Sequence, residues 1–155
     1  MNLDVCVDSD WAGSTDRKST SGGMVCVDGA AIKHWSRTQK ARALSSGEAE
    51  YHAIVAGSAE GLGVQSLAID LGWSFQVVVH TDSSTAKSVA GRRGLGKMRH
   101  VELKYLWVQE AVSKGRIRMK KIPGTHNPAD ILTKPKERRE LGRLLAKVSA
   151  YYKAS

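Results

Sequence analysis

Met24-Val25-Cys26-Val27-Asp28-Gly29-Ala30-Ala31-Ile32-Lys33-His34-Trp35 reads as two strands around a two-residue turn. Asp and Gly both tolerate the positive φ of the turn types that match strand twist, so Asp28-Gly29 is a strong hairpin signal. Just upstream, Gly13 to Ser21 is a polar turn, and before it Leu3-Asp4-Val5-Cys6-Val7-Asp8 alternates as a strand does. Three antiparallel strands are therefore expected to open the fold.

Downstream, Ser45 to about Leu71 reads as a long helix closed by Gly72, with several internal glycines that weaken its continuity. Ser45 and Glu48 form an S-x-x-E capping box. Phe75 to Thr81 is a continuous apolar run, as in a strand covered on both faces. Because it follows a helix, a parallel crossover is expected. A short helix over Ser83–Val89 follows, then a basic loop over 91–99 and a helix over Val101–Val112. A strand is expected over Arg116–Ile122, and Asn127-Pro128 is a cap with proline at the first helical position. Glu137 to Tyr152 forms an amphipathic helix. The whole is an α/β chain, a mixed sheet flanked by helices on both faces.

At 155 residues one domain is expected. No apolar run approaches membrane-spanning length, and the first residues lack the basic-then-apolar pattern of a secretory signal. Cys6 and Cys26 lie inside strand-like runs, as small buried residues in a reducing compartment do; a cross-strand disulfide is the alternative.

Charge is lopsided within a net of +9. Residues 1–86 carry 6 basic and 10 acidic side chains, a net of −4, and residues 87–155 carry 18 and 5, a net of +13. An acidic site beside a basic surface suits a protein that holds metal ions and grips a polyanion.

Four acids stand in informative places. Asp8 and Asp82 end apolar runs, Glu50 lies early in the long helix, and Asp130 follows the Asn127 cap. Carboxylates at the ends of buried strands are costly unless something positive neutralises them. Convergence on divalent metal is the economical explanation, since magnesium prefers oxygen ligands. Glu48 has a sufficient structural task in its capping box, which leaves Glu50 as the better ligand. Asp10 rivals Asp8, because both share one strand face if the strand continues.

Five stretches complete the pattern. They are Asp8-Ser9-Asp10-Trp11-Ala12-Gly13, Arg17-Lys18-Ser19-Thr20-Ser21-Gly22, Ala43-Leu44-Ser45-Ser46, Glu48-Ala49-Glu50-Tyr51 and Ala129-Asp130-Ile131-Leu132-Thr133-Lys134. In this combination the chain resembles the ribonuclease H domain of Ty1/copia-type LTR retrotransposon polyproteins, over about residues 4–136. The resemblance implies a ribonuclease H-like fold with a five-stranded mixed sheet. The ribonuclease H domain is expected over 1–135; the basic amphipathic helix over 136–155 lies largely past these motifs and is expected to pack on the same domain, with an addition to the nucleic-acid surface as the alternative. The resemblance also implies two Mg2+ ions, with Mn2+ as a substitute, on Asp8, Glu50, Asp82 and Asp130. The activity implied is cleavage of the RNA strand of an RNA–DNA hybrid, leaving 5′-phosphate and 3′-hydroxyl ends.

His126 matches a loop histidine of the family that assists proton movement or product release, and a plain surface residue is the alternative. His100 matches a position this family fills with histidine. Expected nucleic-acid contacts are Ser9, Ser83 and Ser84 near the metals, and Arg17, Lys18, Arg92, Arg93, Lys97, Arg99 and His100 on the strands. The family context adds a preceding reverse transcriptase as partner, and a cytoplasmic virus-like particle as location. A non-catalytic nucleic-acid-binding module from a decayed element is the rival reading, and an integrase of the same broad fold is a third.

Overall fold

The computed structural model describes residues 1–94 and 105–148. Strands β1 (Asn2–Asp10), β2 (Thr20–Val27) and β3 (Ala30–Thr38) precede helix α1 (Ser46–Asp70). Strand β4 (Gln76–Thr81), helices α2 (Ser84–Ala90) and α3 (Leu106–Ser113), strand β5 (Ile117–Lys121) and helix α4 (Arg138–Val148) follow. The sheet order is β3-β2-β1-β4-β5. β1, β2 and β3 are antiparallel neighbours, whereas β4 runs parallel to both β1 and β5. The expected mixed five-stranded sheet is thus present. No helix among the described residues is long and apolar enough to cross a membrane.

The Asp28-Gly29 turn forms with φ of 48° and 79°, the mirror-image geometry that the two residues permit. β2 and β3 run further than their apolar patterns suggest. Thr20 pairs with Asp10 on one side and Thr38 on the other, so part of the polar turn is recruited into strand. Pairing on both edges overrides the weak strand preference of Ser and Gly.

Helix α1 is continuous despite its glycines. Ser45 caps it by accepting from Glu48 N–H at 3.1 Å. The Glu48 carboxylate reaches back to Leu44 N–H at 3.0 Å, one residue upstream of the cap donor that a capping box uses. At the other end Gly72, with φ of 82°, allows Gly72 N–H to bond Ile69 O and Trp73 N–H to bond Ala68 O, a Schellman closure.

Leu3, Val5 and Val7 point to the α1 side of β1 and are fully buried. Here two of the glycines are explained by close approach. A Cβ at Gly57 would lie 2.3 Å from Val7 Cγ1, and one at Gly61 would lie 2.8 Å from Val5 Cγ2. The same core takes in Ala86 and Val89 of α2 and Val108 and Ala111 of α3. The other face carries Asp4, Cys6 and Asp8. It is covered at one end by a 3-10 turn, Pro128–Leu132, whose Leu132 sits against Gly22. Helix α4 packs on that turn, with Leu144 buried. Asn127 caps the turn and also donates from Nδ2 to Val7 O at 2.8 Å, pinning it to β1. The helix expected after Pro128 is therefore one short 3-10 turn.

Cys6 and Cys26 are buried free thiols on neighbouring strands, and burial pushes their pKa up to about 12 and about 11. Residues 95–104 and 149–155 lie outside the described residues. With them go Lys97, Arg99, His100, the first four residues of the helix expected over Val101–Val112, and the end of the terminal helix.

Two helix glycines make a paired test. Gly57→Ala forces a methyl into Val7 and is expected to cost about 1–3 kcal/mol. Gly63→Ala, where a Cβ meets open space, is expected to stabilise by up to about 1 kcal/mol. Urea denaturation of both variants reads the difference.

Candidate metal centre

Parallel pairing of β1 with β4 sets Cys6 beside His80. Two residues further on, Asp8 and Asp82 emerge at the same sheet edge. The N-terminal part of α1 crosses there and brings Glu50. One carboxylate oxygen from each of Asp8, Glu50 and Asp82 lies within 4.8 Å of the others.

Each acid is held differently. Glu50 Oε1 accepts from Ser9 N–H at 3.2 Å and Ser9 Oγ–H at 2.8 Å. Its Oε2 is buried without a hydrogen-bond partner among the described residues. Asp8 is 1% exposed and accepts from the Thr133 hydroxyl. Asp82 lies against the loop after β5, where a Cβ at Gly124 would be 3.0 Å from Asp82 Oδ2.

Asp130 stands outside the three-carboxylate group. Lys136 binds its Oδ2, and Lys134 Nζ is 3.3 Å from its Oδ1. Lys134 also lies 3.8 Å from Asp8 Oδ2, so one ammonium is shared between two acids.

The electrostatics follow from burial and crowding. Burial pushes Glu50 up to about 8, helped by the Asp8 charge and opposed by the Ser9 hydrogen bonds. Burial raises Asp8 to about 6 against the Thr133 hydrogen bond and Lys134. Asp82 is raised by burial, with Lys134 opposing. At Asp130 burial is outweighed by the Lys136 hydrogen bond and the Lys134 charge, and its carboxyl falls below the usual range.

Three crowded acids with oxygen-only donors, and a buried Glu50 oxygen without a hydrogen-bond partner among the described residues, fit a hard divalent cation. Glu48 and Asp10 face elsewhere. The Glu48 carboxylate serves Leu44 and lies 3.6 Å from His52, and the Asp10 carboxylate fills the space above Gly13.

The remaining sequence candidates are scattered around this edge. His126 is exposed in a 3-10 turn, its Nδ1 3.1 Å from Thr125 Oγ1. Ser9 is buried and committed to Glu50. Ser83 caps α2 through Ala86 N–H, and Lys121 binds the Ser84 hydroxyl. Lys18 pairs with Asp16 at 3.6 Å, while Arg17 is exposed with φ of 58°. Arg92 and Arg93 are exposed and line an open hollow with Trp107 of α3. Two lysines at the site were missed by sequence reasoning. Lys134 stands i,i+4 from Asp130, a spacing that signals that pair, but nothing local to it shows that it also reaches Asp8.

No protein-family model matches the chain. The retrovirus-related Pol polyprotein from transposon TNT 1-94 of Nicotiana tabacum is 34% identical over 139 residues, 86% of this chain. The chain spans about 10% of the length of the curated relatives it matches. Among solved structures, ribonuclease H1 from the archaeon Halobacterium salinarum superposes with a TM-score of 0.59. The match has 18% identity and covers 86% of this chain and 95% of that one. LC11-RNase H1 in complex with an RNA/DNA hybrid gives 0.56 at 16% identity, covering 85% and 94%. A sequence relation over most of the chain and this fold coincide, and the chain belongs to the Pol polyproteins of Ty1/copia-type retrotransposons, as a domain with the ribonuclease H fold.

Proposed function

We propose that this domain is a divalent-metal-dependent endoribonuclease that hydrolyses the RNA strand of RNA–DNA hybrids. The observation that carries the reading is the convergence of Asp8, Glu50 and Asp82 at one sheet edge. The hybrid bound to LC11-RNase H1, a structure of the same fold, supports the substrate class.

Asp8, Glu50 and Asp82 would hold the metal, and Asp130 would join them as the fourth carboxylate. Held by these residues, two magnesium ions, or manganese in their place, would supply Lewis-acid stabilisation of the attacking and leaving oxygens. A water oxygen bonds to phosphorus and the bond to O3′ breaks, leaving a 5′-phosphate on one fragment and a 3′-hydroxyl on the other. Ser9 fixes the Glu50 carboxylate through two hydrogen bonds to Oε1, which leaves the buried Oε2 without a hydrogen-bond partner among the described residues. His126, exposed beside the Asn127 cap, is placed on a surface loop where it would move a proton to or from solvent.

The RNA strand is recognised by 2′-hydroxyls in the minor groove, and phosphates are held without sequence reading. Ser83 and Ser84 start α2 next to Asp82 and suit the first task. Arg17, Lys18, Arg92 and Arg93 suit the second, together with Lys97, Arg99 and His100. The reverse transcriptase of the parent polyprotein is the proposed partner, and a cytoplasmic particle of the element the proposed location.

Cleavage of a labelled RNA–DNA hybrid in magnesium is expected to cut only the RNA strand and to fall on the order of a hundredfold or more in Asp82→Asn. Unchanged cleavage in that variant overturns the site assignment, and tight, salt-sensitive binding without wild-type cleavage points to a binding module.

Acid residues with raised pKa bind protons more tightly folded than unfolded. Metal-free protein therefore releases protons from Asp8 and Glu50 on unfolding, and stability from these groups falls as pH rises from about 4 to about 8. Melting in chelator across that window is expected to show the decline, and Glu50→Gln to flatten its upper part.

Neutralising Arg92 and Arg93 together is expected to weaken hybrid binding and lower the slope of log affinity against log salt by up to about 2. An unchanged slope counts against a phosphate contact at either residue.

A further inference from the structure

Lys134 carries a feature that the proposed chemistry leaves unused. Its ammonium sits 3.8 Å from Asp8 Oδ2 and 3.3 Å from Asp130 Oδ1, and its charge also acts on Glu50 and Asp82. The same four acids that would hold a metal thus already face one cation from the chain.

Lys134 and Lys136 differ in freedom. Lys136 is 14% exposed and bound to Asp130, with Glu140 Oε1 at 3.4 Å, so it ties Asp130 to α4. Lys134 is 46% exposed, and its long side chain reaches inward from the surface. Its backbone is fixed, because Lys134 N–H bonds Asp130 O at 3.3 Å and neighbouring Thr133 bonds Asp8. The side chain alone has room to move.

We propose that Lys134 is a built-in counter-cation of the carboxylate cluster, which neutralises the metal-free site and must swing outward when a divalent cation enters. The inference rests on the metal site proposed above. Two cations drawn to the same carboxylates repel each other at these distances, so the lysine weakens metal affinity while it holds the acids together. Removing its charge separates those effects with opposite signs.

The test uses the whole chain and Mn2+ alone as probe, with titration calorimetry and thermal melting as readouts. Lys134→Met keeps the aliphatic stem and removes the charge, Lys134→Gln is a second neutral variant, and Lys134→Arg keeps the charge. The neutral variants are expected to bind Mn2+ roughly tenfold more tightly. They are also expected to melt lower in chelator and to gain more from added Mn2+. The arginine variant is expected to stay within about twofold of the unsubstituted chain. Equal or weaker Mn2+ binding by both neutral variants overturns the inference. Asp82→Asn is the control: if it binds Mn2+ as the unsubstituted chain does, the metal site falls and the lysine role with it. If it loses binding while the neutral lysine variants are unchanged, only the lysine role falls.

Discussion

Three carboxylates within 4.8 Å of one another at the end of a sheet are the constraint on which the rest of this domain depends. Like charges at that spacing, partly removed from water, repel strongly and each pays for its own desolvation. The surrounding residues respond one acid at a time. Ser9 gives Glu50 two donors, Thr133 gives Asp8 one, and Lys136 and Lys134 take Asp130. The compensation is incomplete, since Asp8 and Glu50 remain at about 6 and about 8. A site that is finished without a ligand would show acids near their ordinary range. Here burial and mutual repulsion still hold two of them above it, a cost that a cation bound among the acids would lower.

The cluster exists because α1 lies close to β1. Glycines 57 and 61 let the helix backbone approach Val7 and Val5, and Ala53 and Ile54 fill the adjoining space. That approach brings the first turns of α1 over the sheet edge, where Glu50 meets Ser9. The parallel β1–β4 register does the rest by setting Asp82 beside Asp8. Packing in the core and geometry at the site are therefore one problem. A methyl group added seven residues from Glu50 acts on both.

Much of this was legible in the chain. Asp28-Gly29 announced the hairpin, the apolar runs before Asp8 and Asp82 announced β1 and β4, although β1 continues to Asp10, and Ser45 announced the start of α1. Those signals are local, carried by turn chemistry, patterning and capping. The extension of β2 back to Thr20 was not legible, because Thr20-Ser21-Gly22-Gly23 has no strand character of its own and is held by partners on both sides. The α1 glycines looked like interruptions and are contact points, a distinction that only the facing valines can make. The Asp130–Lys134 pair has the i,i+4 spacing of a helical ion pair, but the reach of Lys134 to Asp8 and the folding back of Lys136 onto Asp130 have no counterpart in sequence spacing.

The lopsided charge acquires a physical meaning in the fold. Asp8, Glu50 and Asp82 come from the acidic first part of the chain, and the nearest compensating ammonium groups come from the basic remainder. Thr133 and Lys134 reach Asp8 across about 125 residues, and Asn127 joins β1 by a bond from its side chain to Val7 O. Contacts of such sequence separation tie the far end of the chain back to its first strand. The segment from Asn127 to Lys136 therefore acts as a closing strap. Without it Asp8 would lose its Thr133 and Lys134 partners, and with it the buried Glu50 Oε2 is still without a hydrogen-bond partner among the described residues.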